Sequence, residues 1–106
     1  MSTLLELTEE NFDSVVSAKG VSVVRFWAPW CEPCRMVAPT FKQLSIDMKD
    51  KATFGEIDIE RFNTIAMKYG IRGIPTTYIY KDGKPVDSIV GVASLSQFKN
   101  MVTRNL

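Results

Sequence analysis

The chain has 106 residues, 45% hydrophobic and 24% charged, which suits one compact domain with its own core and leaves no length for a second. Thirteen basic and twelve acidic residues leave a net charge of +1 without a block of like charge, so neither nucleic acid nor an anionic membrane is an expected partner. The apolar runs are too short to span a bilayer and no basic segment followed by an apolar stretch opens the chain; a cytoplasmic location is expected, although removal of a transit or signal peptide leaves the same kind of mature chain.

No repeat or low-complexity linker interrupts the sequence, and the elements follow one another continuously. Residues 4–7 read as a short strand. Thr8 can cap the next helix, with Glu9 and Glu10 at its positive end, Phe12, Val15 and Val16 on one face, and Lys19-Gly20 as its exit. Val21–Trp27 is β-branched, aromatic and apolar on both faces, the pattern of a central strand covered on both sides. Val37, Ala38, Phe41, Leu44 and Met48 recur at helical spacing and predict a long helix ending near Lys49. Pro39 falls inside it and implies either a kink or a helix that starts only at that proline. A strand over 53–59 precedes a short helix carrying Phe62, Ile65, Ala66 and Tyr69, stopped by Gly70. Strands over 76–80 and 86–90 form an antiparallel hairpin across Asp82-Gly83, and Ser94 with Gln97 makes a capping box for a last helix with Leu95, Phe98 and Val102 inside. The order β-α-β-α-β-α-β-β-α is an α/β fold with helices on both faces of the sheet.

The two cysteines, Cys31 and Cys34, are too few for a disulfide framework, and with no histidine in the chain a closed zinc site can form only between molecules. Lack of histidine also removes Ser/His and Cys/His catalysis. Cys31 follows the central strand and opens the long helix, where unpaired backbone N–H groups and the macrodipole favour an anion; it is the expected attacking thiolate. Cys34, two residues further on, can reach its sulfur and resolve a mixed disulfide, and Pro33 restricts the turn that holds the two together. Chemistry in open α/β sheets collects at the carboxyl ends of strands, where this pair lies.

Phe26-Trp27-Ala28-Pro29-Trp30-Cys31, Pro33-Cys34-Arg35-Met36, Pro39, Tyr69-Gly70-Ile71-Arg72-Gly73-Ile74-Pro75-Thr76, Lys81-Asp82-Gly83 and Val90-Gly91, in this order, resemble the thioredoxin family along the whole chain. The resemblance implies the thioredoxin fold, a mixed five-stranded sheet flanked by four helices, and a general protein-disulfide reductase cycling Cys31 and Cys34 between dithiol and disulfide. It implies a cis Pro75 beside the cysteines, with Ile74 and Pro75 receiving an extended substrate segment and Trp30, Gly91 and Val92 completing an apolar rim. Trp27 is either core beneath the site or part of it. No bound cofactor is implied. Electrons would come from a thioredoxin reductase using NADPH, or from a ferredoxin-linked reductase, and pass to clients such as ribonucleotide reductase, peroxiredoxins and methionine sulfoxide reductases. A monomer is expected.

This sequence departs from the family at Glu32, where glycine is usual. A carboxylate beside Cys31 disfavours its thiolate and should make the pair more reducing, unless water and Arg35 screen it. At Arg25 and Glu56 the family usually carries Asp and Lys, so the charges are exchanged. The two should pair on neighbouring parallel strands beneath the cysteines, with Glu56 serving proton transfer at Cys34 and Arg25 as its ion-pair partner, or else as a structural pair only. The competing functional readings are a specialised reductant for one client and a binding or chaperone subunit whose thiols are incidental.

Overall fold

The structure, a computed structural model, describes residues 3–106. Nine elements follow in chain order: β1 Leu4–Glu6, α1 Phe12–Val16, β2 Val21–Trp27, α2 Glu32–Asp47, β3 Thr53–Asp58, α3 Asn63–Lys68, β4 Thr76–Lys81, β5 Lys84–Val90 and α4 Leu95–Arg104. The strands form one sheet in the order β1-β3-β2-β4-β5. β3 runs parallel to both β1 and β2, whereas β4 is antiparallel to β2 and to β5. This is the mixed five-stranded sheet with four helices that the resemblance implies.

β2 is central because six of its seven residues are buried, which only a strand covered on both faces allows. Alternation divides its side chains between two cores. Val21 and Val23 join Phe54 and Ile79 under α2 and α4, which contribute Val37, Phe41, Leu44, Phe98, Met101 and Val102. Val24 and Phe26 join Ile57 and Tyr80 under α1 and α3, which contribute Phe12, Val16 and Ile65. Phe41 meets Phe54 and Phe98 edge-on and so ties α2 to β3 and α4. On the other face Gly55 is required by close approach, since a Cβ there would lie 2.8 Å from Cδ1 of the fully buried Leu7.

Several boundaries differ from the expected ones for local reasons. Thr8 caps a turn rather than α1: its hydroxyl accepts from the N–H of Asn11, and Asn11 Oδ1 accepts from the N–H of Thr8. The regular helix therefore starts at Phe12 and ends at Val16, with Ser17 rather than Lys19-Gly20 at its exit. α2 runs unbroken from Glu32 through Pro39, so the helix does not begin at that proline. In the hairpin Asp82 and Gly83 both have positive φ, the primed turn that Asp-Gly favours, and a register shift follows between Ile79 and Tyr80. The Ser94–Gln97 capping box is formed in both directions and starts α4.

Candidate redox site

β2 ends at Trp27 and delivers the chain into a tight turn, closed by the N–H of Cys31 on the carbonyl of Ala28 at 3.1 Å. Cys31 is the N-cap of α2 and Pro33 sits in the first turn, where a missing N–H is harmless. Cys31 and Cys34 are joined as a disulfide, their Cα atoms 5.2 Å apart. The Cys31 sulfur accepts the backbone N–H of Cys34 at 3.2 Å. A donor aimed at that sulfur and the positive end of a 16-residue helix both favour its thiolate once the pair is reduced. Cys34, one turn deeper, is fully buried, while Cys31 keeps 5% of its surface. Of the two, only Cys31 offers a client any surface to meet, so it can attack first and Cys34 can resolve.

A second segment closes over the pair. The Ile74–Pro75 peptide bond is cis, and Ile74 packs against the cluster of Ala28, Cys31 and Cys34 together with Trp27 and Ile59. The Thr76 hydroxyl donates to the Gly73 carbonyl, and the N–H of Gly91 donates to the Pro75 carbonyl at 2.8 Å, which fastens the end of β5 to this loop. Gly91 has φ +90° and open space above its Cα, so a chain can approach its backbone. Trp30 is 65% exposed, and Val92 is exposed as well. Val90, also exposed and passed over by sequence reasoning, belongs beside the cis-proline loop, since its Cγ1 lies 4.0 Å from where a Cβ on Gly73 would be. Its signal was its place one residue before Gly91, on the face of β5 opposite Ile89, which packs against the core.

Two ion pairs flank the cysteines. Glu32 is exposed and accepts a hydrogen bond from Arg35, whose other arm donates to the Pro29 carbonyl at 2.8 Å. The carboxylate beside Cys31 is thus answered by a cation on the next turn. Arg25 and Glu56 are register partners on β2 and β3, on the face covered by α2. Nε and Nη2 of Arg25 donate to Glu56 Oε2 at 3.1 and 2.5 Å, and Nη1 donates to the Cys34 carbonyl at 3.0 Å. The guanidinium also lies against the rings of Trp27 and Phe41. Trp27 therefore serves both core and site. Glu56 lines two adjoining clefts of about 400 and 530 Å³, sharing Leu4 and Lys42 between them, that reach from Arg35 and Pro39 to Arg61 and Phe62. Among the described residues no hydrogen bond joins Glu56 to either cysteine.

The thioredoxin family model matches residues 3–104. The thioredoxin of Staphylococcus aureus is 37% identical over 103 residues, 97% of this chain and 98% of that relative. Among solved structures, thioredoxin of Malassezia sympodialis superposes with a TM-score of 0.89 at 32% identity, over 99% of this chain and 92% of that one. A mutant thioredoxin of Halobacterium salinarum superposes with a TM-score of 0.87 at 29% identity, over 96% and 89%. With the cysteine pair at the head of α2, the cis-proline loop above it and a match over nearly its whole length, the chain belongs to the thioredoxin family of protein-disulfide oxidoreductases, with Cys31 and Cys34 as its redox-active pair.

Proposed function

We propose that this protein is a general reductant of protein disulfides, an electron carrier of the cytoplasm that works as a monomer between a thioredoxin reductase, drawing on NADPH, and a range of clients. The Cys31 thiolate attacks one sulfur of a client disulfide. A bond forms between Cys31 and that sulfur, and the other client sulfur leaves as a thiolate and takes a proton. Cys34 then attacks Cys31, the mixed disulfide breaks, and the second client thiol departs. Two electrons have passed from the pair to the client.

The observation that carries this reading is the asymmetry of the pair, one cysteine on a helix N-terminus with an N–H donor on its sulfur and 5% of its surface open, the other fully buried one turn in. Exposed Trp30 and Val92 with the open backbone at Gly91, beside the loop of Ile74 and the buried Pro75, suit extended client segments of varied sequence better than one complementary partner. Ribonucleotide reductase, peroxiredoxins and methionine sulfoxide reductases are clients of the proposed kind. Pro33 holds the turn, and Glu56, held beneath Cys34 through Arg25 and open to solvent in the clefts that it lines, takes the proton that Cys34 must lose.

The test is a redox titration of the pair in dithiol buffers, followed by the fluorescence of Trp27 and Trp30, together with reduction of insulin. The expected result is one reversible two-electron transition at a strongly reducing potential, with insulin reduction abolished by Cys31→Ser. An oxidising potential, or insulin reduction that survives Cys31→Ser, overturns the reading.

A further inference from the structure

Among the described residues Arg25 is the one charged side chain buried in the interior, with 3% of its surface exposed. A guanidinium keeps its proton in proteins, so its positive charge is permanent. Pairing with Glu56 answers that charge and uses Nε and Nη2. The third bond, from Nη1 to the Cys34 carbonyl at 3.0 Å, is not needed for neutralisation. It ties the cation to the backbone of the resolving cysteine, and the rings of Trp27 and Phe41 lie against the guanidinium.

The apolar cluster that holds Cys34 consists of Ala28 and Cys31, with Trp27, Ile59 and Ile74 packed against it. On its own helix Glu32 and Arg35 are exposed and bonded to each other, and across the sheet Glu56 is bonded to Arg25, with Lys42 and Asp58 lining the cleft beside it. Among the described residues the one buried cation is therefore Arg25, paired with Glu56 and bonded to the Cys34 carbonyl.

We infer that Arg25 is a positioning residue for the second half of the exchange: it holds the turn that carries Cys34 and stabilises the thiolate that Cys34 must become before it attacks Cys31. In that step the Cys34 thiol gives its proton to Glu56 or to water. The thiolate forms the Cys31–Cys34 bond as the bond between Cys31 and the client breaks, and the client sulfur leaves with the electron pair and is protonated by solvent. The first half of the exchange, which uses Cys31 at the head of α2, does not depend on Arg25. This inference rests on the disulfide-exchange reading but not on Glu56 as proton acceptor.

The experiment mixes the reduced protein with dithionitrobenzoate in a stopped-flow instrument and follows the two releases of coloured thiolate as a function of pH, the first from Cys31 and the second from Cys34. Because Arg25→Met alone strands a carboxylate and can impair folding, the variant used is Arg25→Met with Glu56→Gln, which removes both charges together. The pH midpoint of the second release is expected to move upward by about one unit or more, an approximately tenfold loss of rate at neutral pH, while the first release keeps its profile. Arg25→Lys should recover most of that loss. A second release with an unchanged midpoint, or both releases shifting together, overturns the inference. Absence of the first release defeats the disulfide-exchange reading instead, and Glu56→Gln alone, which keeps the cation, reports separately on the proton acceptor.

Discussion

The two faces of β2 make different use of the same alternation. Toward α1 and α3 it presents Val24 and Phe26 to Phe12, Val16 and Tyr80, an uncharged side in which Phe12 touches the rings of Phe26, Tyr69 and Tyr80 and the buried Ser22 hydroxyl donates to the Val15 carbonyl. Toward α2 and α4 it begins equally apolar with Val21 and Val23 but ends with Arg25 and Trp27, beneath the turn that carries the cysteines. An arginine placed in that second core is tolerated because Glu56, the Cys34 carbonyl and two aromatic rings answer every part of it. One face is therefore given to stability, and the other hands its carboxyl end to chemistry. Charge, costly in either core, is placed beside the turn that carries the thiols.

The strongest challenge to this division is Phe12→Ala, which empties the aromatic cluster on the stabilising face and should lower the unfolding free energy by about 3–5 kcal/mol. Denaturant unfolding reads the loss. The rate of insulin reduction per folded molecule should be unchanged, and a redox defect there would show that the two faces are not separate.

A smaller effect asks whether the whole α2 and α4 face takes part in chemistry or only its cysteine end. Asp87 on β5 bonds Arg104 and Asn105 at the end of α4, and those two bonds, the arginine's first, hold its carboxyl down to about 2. Since the folded value lies below the unfolded one, the stabilisation is complete above about pH 4 and is lost as pH falls toward 2. Asp87→Asn should cost about 1 kcal/mol at neutral pH, because Arg104 is largely exposed, and should flatten the acid limb of the stability curve. The redox potential should not move.

The smallest shift is expected of Glu32→Gly. The carboxylate is exposed and paired with Arg35, so its removal should raise the potential, toward a weaker reductant, by no more than about 20 mV, the equivalent of a surface ion pair in a two-electron couple. A larger rise would mean that Arg35 does not screen it, and would place part of the tuning outside the buried face.

Much of this was legible beforehand, and particular residues show why. The Ser94–Gln97 capping box and the Asp82-Gly83 turn are satisfied within a few residues of chain, so their chemistry is local and can be read in place. Cys31 and Cys34 are legible for the same reason, because one helical turn fixes the spacing of their sulfurs. Thr8 shows the limit of such reading. Its side chain does cap, but the reciprocal bond with Asn11 makes a separate turn and postpones α1. Val90 escaped notice because its exposure depends on which face of β5 the helices cover: Ile89 beside it packs against the core while Val90 points to the other face, a property of packing rather than of its sequence surroundings.

By itself the sequence determined the succession of elements, the central place of β2 and the chemistry of the cysteine pair, since periodicity, capping and turn geometry act over distances of a few residues. The pairing of Arg25 with Glu56 was suggested by family resemblance alone. Tertiary structure alone decided that the third bond of Arg25 falls on the Cys34 carbonyl, that Glu56 opens into the clefts beside α2, and that the end of β5 is fastened to the cis-proline loop through Gly91 and Pro75. Each joins residues from elements far apart in the chain, and their distance is set by how α2 and β5 lie on the sheet, which no local preference specifies.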